Sequence, residues 1–112
     1  MLPLVIARAA VEEFQDAVVY YNQERPGLGY EFASEVKSAF QRIKEFPDAW
    51  PVFHETSRRC FLQRFPYGIL YKNYPNQIFV AAIMHLRRDP KHWEIRLKTL
   101  TETDELEGGV IR

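Results

Sequence analysis

Residues 58–93 read RRCFLQRFPYGILYKNYPNQIFVAAIMHLRRDPKHW, and this stretch decides the fold. Its apolar and aromatic runs predict three consecutive strands, over residues 59–65, 69–73 and 78–85. Proline, glycine and asparagine punctuate the two gaps between these runs and predict tight turns. Residues 78–85 are almost all apolar, a pattern that is typical of a central strand covered on both faces.

Two amphipathic helices are predicted upstream of this stretch. Apolar residues recur every three or four positions over residues 11–21 and again over residues 28–46. Glu24-Arg25-Pro26-Gly27 separates the two runs, and Pro47 ends the second. Two helices joined by such a short turn predict an antiparallel helical hairpin.

Two shorter strands and a short helix complete the predicted order. An apolar run over residues 2–7 predicts the first strand, and residues 50–54 predict a weaker strand after the hairpin. Asp89-Pro90 predicts the start of a short helix that holds Trp93 and Leu97. The order β-α-α-β-β-β-β predicts an α+β fold of two layers, in which an antiparallel-dominated sheet packs against the N-terminal helical hairpin.

Length and composition indicate one small domain. The chain has 112 residues, of which 46% are hydrophobic and 14% aromatic, enough for one hydrophobic core. We expect residues 1–100 to form the domain and the acidic residues 101–112 to form a flexible tail. The single cysteine, Cys60, excludes an internal disulfide and fits a cytoplasmic protein. The start of the chain resembles neither a signal peptide nor a membrane span, so no membrane partner is expected.

The net charge of zero conceals a strong segregation of charge. Residues 58–98 carry nine Lys or Arg side chains against two acidic ones, a net charge of +7. Residues 1–57 carry five against nine, a net charge of −4, and residues 99–112 carry one against four, a net charge of −3. A basic sheet half beside an acidic helical half is compatible with an acidic or polyanionic partner.

Several short strings occur in a fixed order between residues 9 and 96. They are Ala10…Glu13…Ala17…Tyr20-Tyr21, Gly27-Leu28-Gly29-x-x-Phe32, Ile43-x-x-Phe46-Pro47, Trp50-Pro51, Arg59, Arg64-Phe65-Pro66-Tyr67-x-Ile69-x-Tyr71 and Ala82-Ile83-x-His85-x-x-Arg88-x-Pro90-x-x-Trp93. No single string is diagnostic, but the ordered set resembles the RelE/ParE superfamily of toxins from bacterial type II toxin–antitoxin pairs. The resemblance is greatest to its ParE-type "plasmid stabilization" branch.

The resemblance implies a partner and one of two targets. Toxins of this superfamily bind a cognate antitoxin, which lays a helix and an extended segment over the helical hairpin and the sheet of the toxin. ParE-type members inhibit DNA gyrase with no known catalysis of their own. RelE-type members instead cleave mRNA in the ribosomal A site.

Four residues are candidate catalytic groups if the chain cleaves RNA. Such cleavage needs a cation to stabilise the phosphorane and groups that transfer protons. The candidates are Arg59, Arg64, His85 and Arg88, with Tyr67 and Tyr71 as possible phenols. They fall on the predicted strands or just beyond them, where they can meet at one open edge of the sheet.

Structural roles compete with these chemical ones. His85 shares a strand face with apolar residues, so it is expected to be half-buried and hydrogen-bonded to the backbone. Arg59 and Arg64 are five positions apart, so a regular strand would point them to opposite faces. The default role of Arg64 is structural, for example pairing with a carboxylate of a helix.

Binding is the other candidate role of the basic stretch. The residues concerned are Arg87, Arg88, Lys91, Trp93 and Arg96, which combine cations with a ring that can stack on a base. Their density predicts a surface for antitoxin carboxylates, for a protein target or for nucleic acid. The alternative is an ordinary solvated surface.

No cofactor and no metal are expected. His54 and His92 are isolated in the sequence, and the five glycines form no phosphate-binding loop. Cys60 lies in an apolar strand and is expected to be a buried small hydrophobe. Three acidic residues of the first helix, Glu12, Glu13 and Asp16, are interpreted as a solvated face favoured by the helix dipole.

The charge balance favours a target that is bound rather than cleaved. Ribosome-acting members of the superfamily are usually strongly basic, because they lie among RNA phosphates. A neutral chain whose helical half is acidic fits this poorly, whereas gyrase inhibition needs only a protein surface. The sequence therefore predicts a ParE-like toxin that inhibits DNA gyrase. The alternatives are a ribosome-dependent mRNA endonuclease of RelE type, and an inactive relative that acts only as a binding module.

Overall fold

The computed structural model describes the backbone of residues 1–103 and 109–111 and the side chains of residues 1–98. Within this part of the chain the elements are β1 (Leu4–Ile6), α1 (Arg8–Glu24), α2 (Leu28–Glu45), β2 (Val52–His54), β3 (Ser57–Phe61), β4 (Tyr67–Asn73), β5 (Ile78–His85), α3 (Pro90–Thr103) and β6 (Gly109–Ile111). The predicted order β-α-α-β-β-β-β is confirmed, and α3 and β6 follow it.

The strands form one sheet in the order β2-β3-β4-β5-β1-β6. Neighbouring strands are antiparallel except for β1 and β5, which are parallel. Seven of the eight residues of β5 are buried, so the predicted central strand covered on both faces is confirmed. The predicted α+β class with an antiparallel-dominated sheet is confirmed as well.

The helical hairpin of α1 and α2 packs against one face of the sheet. The buried stripe of α2 consists of Phe32, Val36, Ala39, Phe40 and Ile43. The turn between the helices needs glycine twice. Gly27 has a φ of +89°, and a Cβ on Gly29 would lie 2.2 Å from the Val18 carbonyl oxygen of α1. The Asn22 side chain accepts the Gly29 N–H at 2.8 Å, which fixes this close crossing of the two helices.

Strand β3 is shorter than the sequence predicts. It ends at Phe61, so Arg64 lies in the connection to β4 and not on a strand. The Glu35 carboxylate of α2 accepts the backbone N–H groups of Gln63 and Arg64 in this connection. A helix side chain thereby supplies acceptors that a neighbouring strand would otherwise provide. The predicted placement of Arg64 on the same strand as Arg59 is therefore wrong.

The second face of the sheet, which we call the outer face, is partly covered by α3. Trp93 and Leu97, which the sequence assigns to a short helix, are buried there. A Cβ on Gly68 of β4 would lie 3.2 Å from the Trp93 ring. Side chains alternate along a strand, and the neighbouring Tyr67 ring contacts Phe32 of the hairpin, so Gly68 faces the other way. The two predicted layers thus gain a helix on the outer face.

The predicted acidic tail is described only in part. Residues 101–103 belong to α3, and residues 109–111 form β6, which pairs with β1. Residues 104–108 and residue 112 lie outside the described residues. The single domain over residues 1–100 and the flexibility of residues 101–112 therefore stay predictions.

An ion pair completes the edge of β5 where β1 stops. On β5, the partners of β1 are Ile78–Val80 alone, and the ladder between β5 and β4 is irregular at Ala81. Glu13 of α1 then accepts the Ile83 N–H at 3.1 Å, and Arg96 of α3 donates to the Ala81 carbonyl oxygen at 3.3 Å. Glu13 and Arg96 also bind each other through two hydrogen bonds of 2.9 and 3.0 Å. We call this pair the edge clasp, and it shows that the solvated role predicted for Glu13 is wrong.

Candidate functional site

An open cleft of about 490 Å³ lies between the C-terminal half of α1 and the adjacent ends of β4 and β5. It is lined by Tyr20, Tyr21, Pro66, Tyr67, His85 and Arg87. Helix α1 supplies the first two tyrosines, and the antiparallel register sets Tyr67 of β4 beside His85 of β5. We call this site the aromatic cleft.

Packed rings form the walls of the aromatic cleft. The Tyr21 ring lies 5.4 Å from the buried Phe32 ring and 4.9 Å from the Phe65 ring. The Tyr67 ring lies 5.0 Å from Phe32 and 5.3 Å from His85. Tilted and edge-to-face pairs at such distances stabilise aromatic clusters. Because these rings rest on the core, the cleft is formed without a ligand.

His85 is tied to the backbone of the turn that follows it. Its Nδ1 accepts the Arg87 N–H at 3.1 Å, and its carbonyl oxygen accepts the Arg88 N–H at 3.0 Å. Because this N–H occupies the lone pair of Nδ1, Nε2 is the ring nitrogen that remains available to a ligand. The predicted half-buried histidine bonded to the backbone is confirmed.

The phenols of Tyr21 and Tyr67 stay protonated at neutral pH. Burial is the main cause that raises the pKa of Tyr21, followed by the charges of Tyr67 and Tyr20. Burial also raises the pKa of Tyr67, with smaller effects of Tyr20 and Glu13 and an opposing effect of Arg88. A protonated phenol can donate a hydrogen bond, so the aromatic cleft offers O–H and N–H donors to an acceptor group of a ligand.

Three exposed cations continue the surface from the cleft into the first turn of α3. Arg87, Arg88 and Lys91 are exposed, and none of them forms an ion pair with a side chain that the structure describes. Trp93 is only 1% exposed, so its ring offers no face to a base, and Arg96 is held in the edge clasp. The predicted surface shrinks to the three exposed cations, which we call the basic patch, and its binding role stays a prediction.

Arg64 is an ion-pair partner of the hairpin. Its guanidinium donates to the Glu31 carboxylate of α2 at 2.6 Å, and Arg25 donates to the same carboxylate at 3.0 Å. The pKa of Glu31 is lowered, first by the hydrogen bond from Arg64 and then by that from Arg25. The predicted pairing of Arg64 with a helix carboxylate is confirmed.

Arg59 lies on the outer face of the sheet, among aromatic rings. Its guanidinium carbon is 4.3 Å from the centre of the Phe53 ring, 4.9 Å from that of Phe61 and 5.1 Å from that of Trp93. A Cβ on Gly68 would lie 3.4 Å from the Arg59 side chain, so both residues are on one face. That face is opposite to the face of the aromatic cleft.

The four candidates for RNA cleavage are not brought together. Arg59 lies on the outer face, and Arg64 is bound to α2. His85 lines the aromatic cleft, and Arg88 lies in the turn that follows β5. Acid–base cleavage requires groups within hydrogen-bonding reach of the same reacting atoms. Within the described part of the chain, the four side chains do not form such a set.

Tyr20 is a cleft residue that sequence reasoning does not single out. Successive positions on a helix are about 100° apart, so two adjacent tyrosines cannot both face the core of the hairpin. Tyr21 packs on the core, and Tyr20 is left exposed with its ring 5.2 Å from that of Tyr21. The second large ring beside an apolar stripe is the signal in the sequence that could have pointed to this site.

The remaining candidates have structural roles. Cys60 is buried, and burial raises the pKa of its thiol to about 11, in agreement with the predicted small hydrophobe. Tyr71 is also buried, and it donates its hydroxyl to the Pro47 carbonyl oxygen instead of reaching the cleft. Among the described residues, no three His, Cys, Asp or Glu side chains are grouped as metal ligands. No helix in the described part of the chain is both long enough and apolar enough to span a bilayer.

The fold is shared with a protein of known structure. No protein-family model and no curated protein matches the sequence. A chain of the solved chromosomal ParDE TA (toxin–antitoxin) system from P. aeruginosa superimposes on this chain with a TM-score of 0.62 at 15% sequence identity. The match covers 76% of this chain and 96% of that chain. The resemblance drawn from the ordered strings is thereby confirmed at the level of the fold: this chain has the fold of a ParDE system chain.

Proposed function

We propose that this chain is the toxin of a bacterial type II toxin–antitoxin module, a ParE-like member of the RelE/ParE superfamily. A cognate antitoxin protein neutralises it in the cytoplasm by forming a hetero-oligomer. The free toxin arrests growth by inhibiting DNA gyrase through binding, without catalysis and without a cofactor. A role in plasmid stabilization follows from the same resemblance.

The observation that carries this proposal is the fold shared with the ParDE TA system chain. The likeness extends over 96% of that chain, so it concerns the whole fold and not one motif. A TA system pairs a toxin with an antitoxin, which supports an antitoxin as the partner of this chain. The ordered strings between residues 9 and 96 support the same assignment.

The separation of the candidate catalytic groups supports binding rather than cleavage. Arg59 and His85 lie on opposite faces of the sheet, and the Nδ1 of His85 is occupied by a backbone N–H. The four candidates therefore do not converge on one reacting group. A toxin that acts by binding needs no such set.

The aromatic cleft and the basic patch are the surface that we assign to the target. Tyrosine and arginine are enriched at protein–protein interfaces, because they combine a large apolar area with polar groups. Tyr20 and Arg87 both line the cleft, and Arg88 follows Arg87 in the chain. The helical hairpin also exposes Val19, Tyr30 and Phe46, and we assign the antitoxin to these apolar residues.

The test is a supercoiling assay with purified gyrase and relaxed plasmid, beside an mRNA-cleavage assay on programmed ribosomes. We expect loss of supercoiling with intact mRNA, and recovery of supercoiling when the protein encoded by the adjacent reading frame is added as antitoxin. Cleaved mRNA with normal supercoiling would show that the target is the ribosome and not gyrase. Activity in neither assay would indicate an inactive relative that acts only as a binding module.

A further inference from the structure

On the outer face of the sheet, the guanidinium of Arg59 has no ion-pair partner among the described residues. Arg59 has Phe53, Phe61 and Trp93 around it, and we call these four residues the Arg59 cage. None of the described carboxylates is within ion-pair distance of Arg59, and none of the described oxygens accepts a hydrogen bond from its guanidinium. Since no described polar side-chain atom is both buried and unbonded, the Arg59 N–H groups are open to solvent.

A caged arginine presents its edge to a ligand. Aromatic rings contact the flat faces of a guanidinium, whereas its five N–H donors lie in the plane. The ring centres lie 4.3 to 5.1 Å from the Arg59 guanidinium carbon, and no described oxygen accepts a hydrogen bond from its N–H groups. These donors therefore remain available to a carboxylate, which can bind a guanidinium bidentately. Burial lowers the pKa of Arg59, yet an arginine stays charged, so an anion bound at its edge would offset part of the desolvation cost.

The space beside the cage selects the size of the anion. A hollow of about 150 Å³ adjoins Arg59 and is lined by Pro51, Val52, Phe53, Arg59 and Phe61. Sites for small-molecule ligands and cofactors usually have roughly 300 Å³ or more. The hollow is therefore suited to a single carboxylate-bearing side chain rather than to a nucleotide.

The rim of the cage selects the class of partner. Val52 and Phe61 are large apolar residues that are exposed beside the single cation. A nucleic-acid backbone is bound by several cations, because each phosphate contact contributes separately. One cation in an apolar rim instead fits a protein surface on which an acidic side chain stands next to an apolar one.

We propose that the Arg59 cage receives one aspartate or glutamate side chain of a partner protein, whose neighbouring apolar residue packs on Val52 and Phe61. The partner is the cognate antitoxin, which would thus reach the outer face of the sheet as well as the helical hairpin. The identity of the partner rests on the proposed function, whereas the chemistry of the cage does not.

The experiment is a double-mutant cycle between this chain and the protein encoded by the adjacent reading frame. Dissociation constants are measured by calorimetry for Arg59→Gln, with Arg8→Gln as the matched control at an exposed arginine outside the cage. Each acidic residue of the partner is changed to its amide in turn. We expect Arg59→Gln to weaken binding at least about tenfold, as for loss of a desolvated charge pair. One partner substitution should cause the same loss and add nothing when it is combined with Arg59→Gln.

Two outcomes would overturn the proposal. One is unchanged affinity of Arg59→Gln, and the other is full additivity of Arg59→Gln with every acidic substitution of the partner. If Arg59→Gln impairs folding, as a thermal melt would show, the partner-side substitutions decide the question with the natural chain. A substitution that then costs about tenfold, together with a shift of the Arg59 Nε–Hε resonance on binding, supports the cage. The absence of either result refutes it.

Failure of the proposed function is distinguishable from failure of the cage. If the adjacent protein does not bind at all, the antitoxin assignment falls and the cage is tested by NMR with short probes. These are acetyl-Leu-Glu-Leu-amide, its Gln counterpart and a uridylate trinucleotide. A saturable shift of the Arg59 Nε–Hε resonance with the Glu peptide alone supports the carboxylate site. A shift with the trinucleotide alone, or with none of the three, overturns it.

Discussion

The edge clasp and the Arg59 cage each hold one partly buried arginine, and they do so in opposite ways. Arg96 binds the Glu13 carboxylate through two hydrogen bonds and also donates to the backbone of β5. Arg59 is surrounded by three rings and has no acceptor among the described residues. The role of a half-buried cation therefore depends on whether the chain itself supplies the anion. Arg96 joins α1, α3 and β5, whereas the hydrogen-bond donors of Arg59 remain open to a partner.

The two arginines should differ most in how the substitutions Arg96→Met and Arg59→Met change the free energy of unfolding. Arg96→Met leaves Glu13, which is 18% exposed, without its cation, and we expect it to lower the free energy of unfolding by about 3 kcal/mol. The measurement is urea unfolding followed by circular dichroism. The same change at Arg59 removes a charge that no described residue pairs, so its effect should be far smaller.

A second substitution controls for lost packing. In the double variant Glu13→Leu with Arg96→Met, no charge is left unpaired at the edge of β5, although the Ile83 N–H loses its acceptor. We expect the double variant to be more stable than the sum of the two single losses predicts. Additive losses, or a loss below about 1 kcal/mol for Arg96→Met alone, would show that the edge clasp does not hold the three elements together.

Like Arg59, the cations of the basic patch have no ion-pair partner among the described residues. Their removal should change function without changing stability. We expect Arg87→Glu with Arg88→Glu to raise the concentration for half-inhibition of gyrase about tenfold, because opposite charges at an interface speed association. The salt dependence of inhibition should weaken in parallel. The measurement is a supercoiling titration at two salt concentrations.

The matched control for the patch changes two other exposed cations, Arg8→Glu with Lys37→Glu, and so alters the net charge equally. Inhibition that falls equally in both variants would indicate an effect of overall charge instead of a surface. Slower association with the antitoxin and unchanged inhibition would assign the patch to the antitoxin. Unfolding curves of both variants should coincide with that of the natural chain within about 0.5 kcal/mol.

The parts of the fold that could be predicted from the sequence are those with local signals. The helical hairpin has a period of three to four residues and a Pro-Gly turn, and β5 has an unbroken apolar run. These signals are contained within a few turns of chain, so no long-range contact is needed to read them.

The parts that could not be predicted depend on where neighbouring elements stop. Glu13 and Arg96 are 83 positions apart, and they meet only because β1 ends before it reaches Ile83 of β5. Without that edge, Glu13 reads as one more acidic residue on a solvated helix face. The strand predicted over residues 59–65 is too long for the same reason, since the Glu35 carboxylate takes the place of a strand partner beyond Phe61.

Arg59→Met tests the other side of the comparison in its own right. The substitution removes the cation–π contacts with the cage rings, each worth about 0.5–1 kcal/mol at exposed sites, and it also removes the desolvation cost of the charge. We therefore expect the free energy of unfolding to stay within about 1 kcal/mol of the natural value. A loss as large as that of Arg96→Met would mean that the charge of Arg59 is satisfied within the chain, and the cage would lose its argument as a receptor.

The smallest effect on stability is expected at Arg64. Its ion pair with Glu31 is exposed, with 59% of the Arg64 side chain and 38% of the Glu31 side chain accessible. The pKa of Glu31 lies below its ordinary value of 4.5, mainly because of the hydrogen bond from Arg64. A carboxyl whose pKa is lowered by folding stabilises the protein fully above its unfolded pKa, and this stabilisation disappears as the pH falls through the folded pKa.

Arg64→Gln should therefore raise the pKa of Glu31 in an NMR titration and should leave stability at neutral pH nearly unchanged in high salt, because exposed pairs are screened. Since Arg25 also donates to Glu31, part of the lowering should persist in this variant and vanish only when Arg25→Gln is added. A Glu31 pKa that does not move in Arg64→Gln would show that Arg64 is free in solution and would transfer it to the unpaired cations, beside Arg59 and the basic patch.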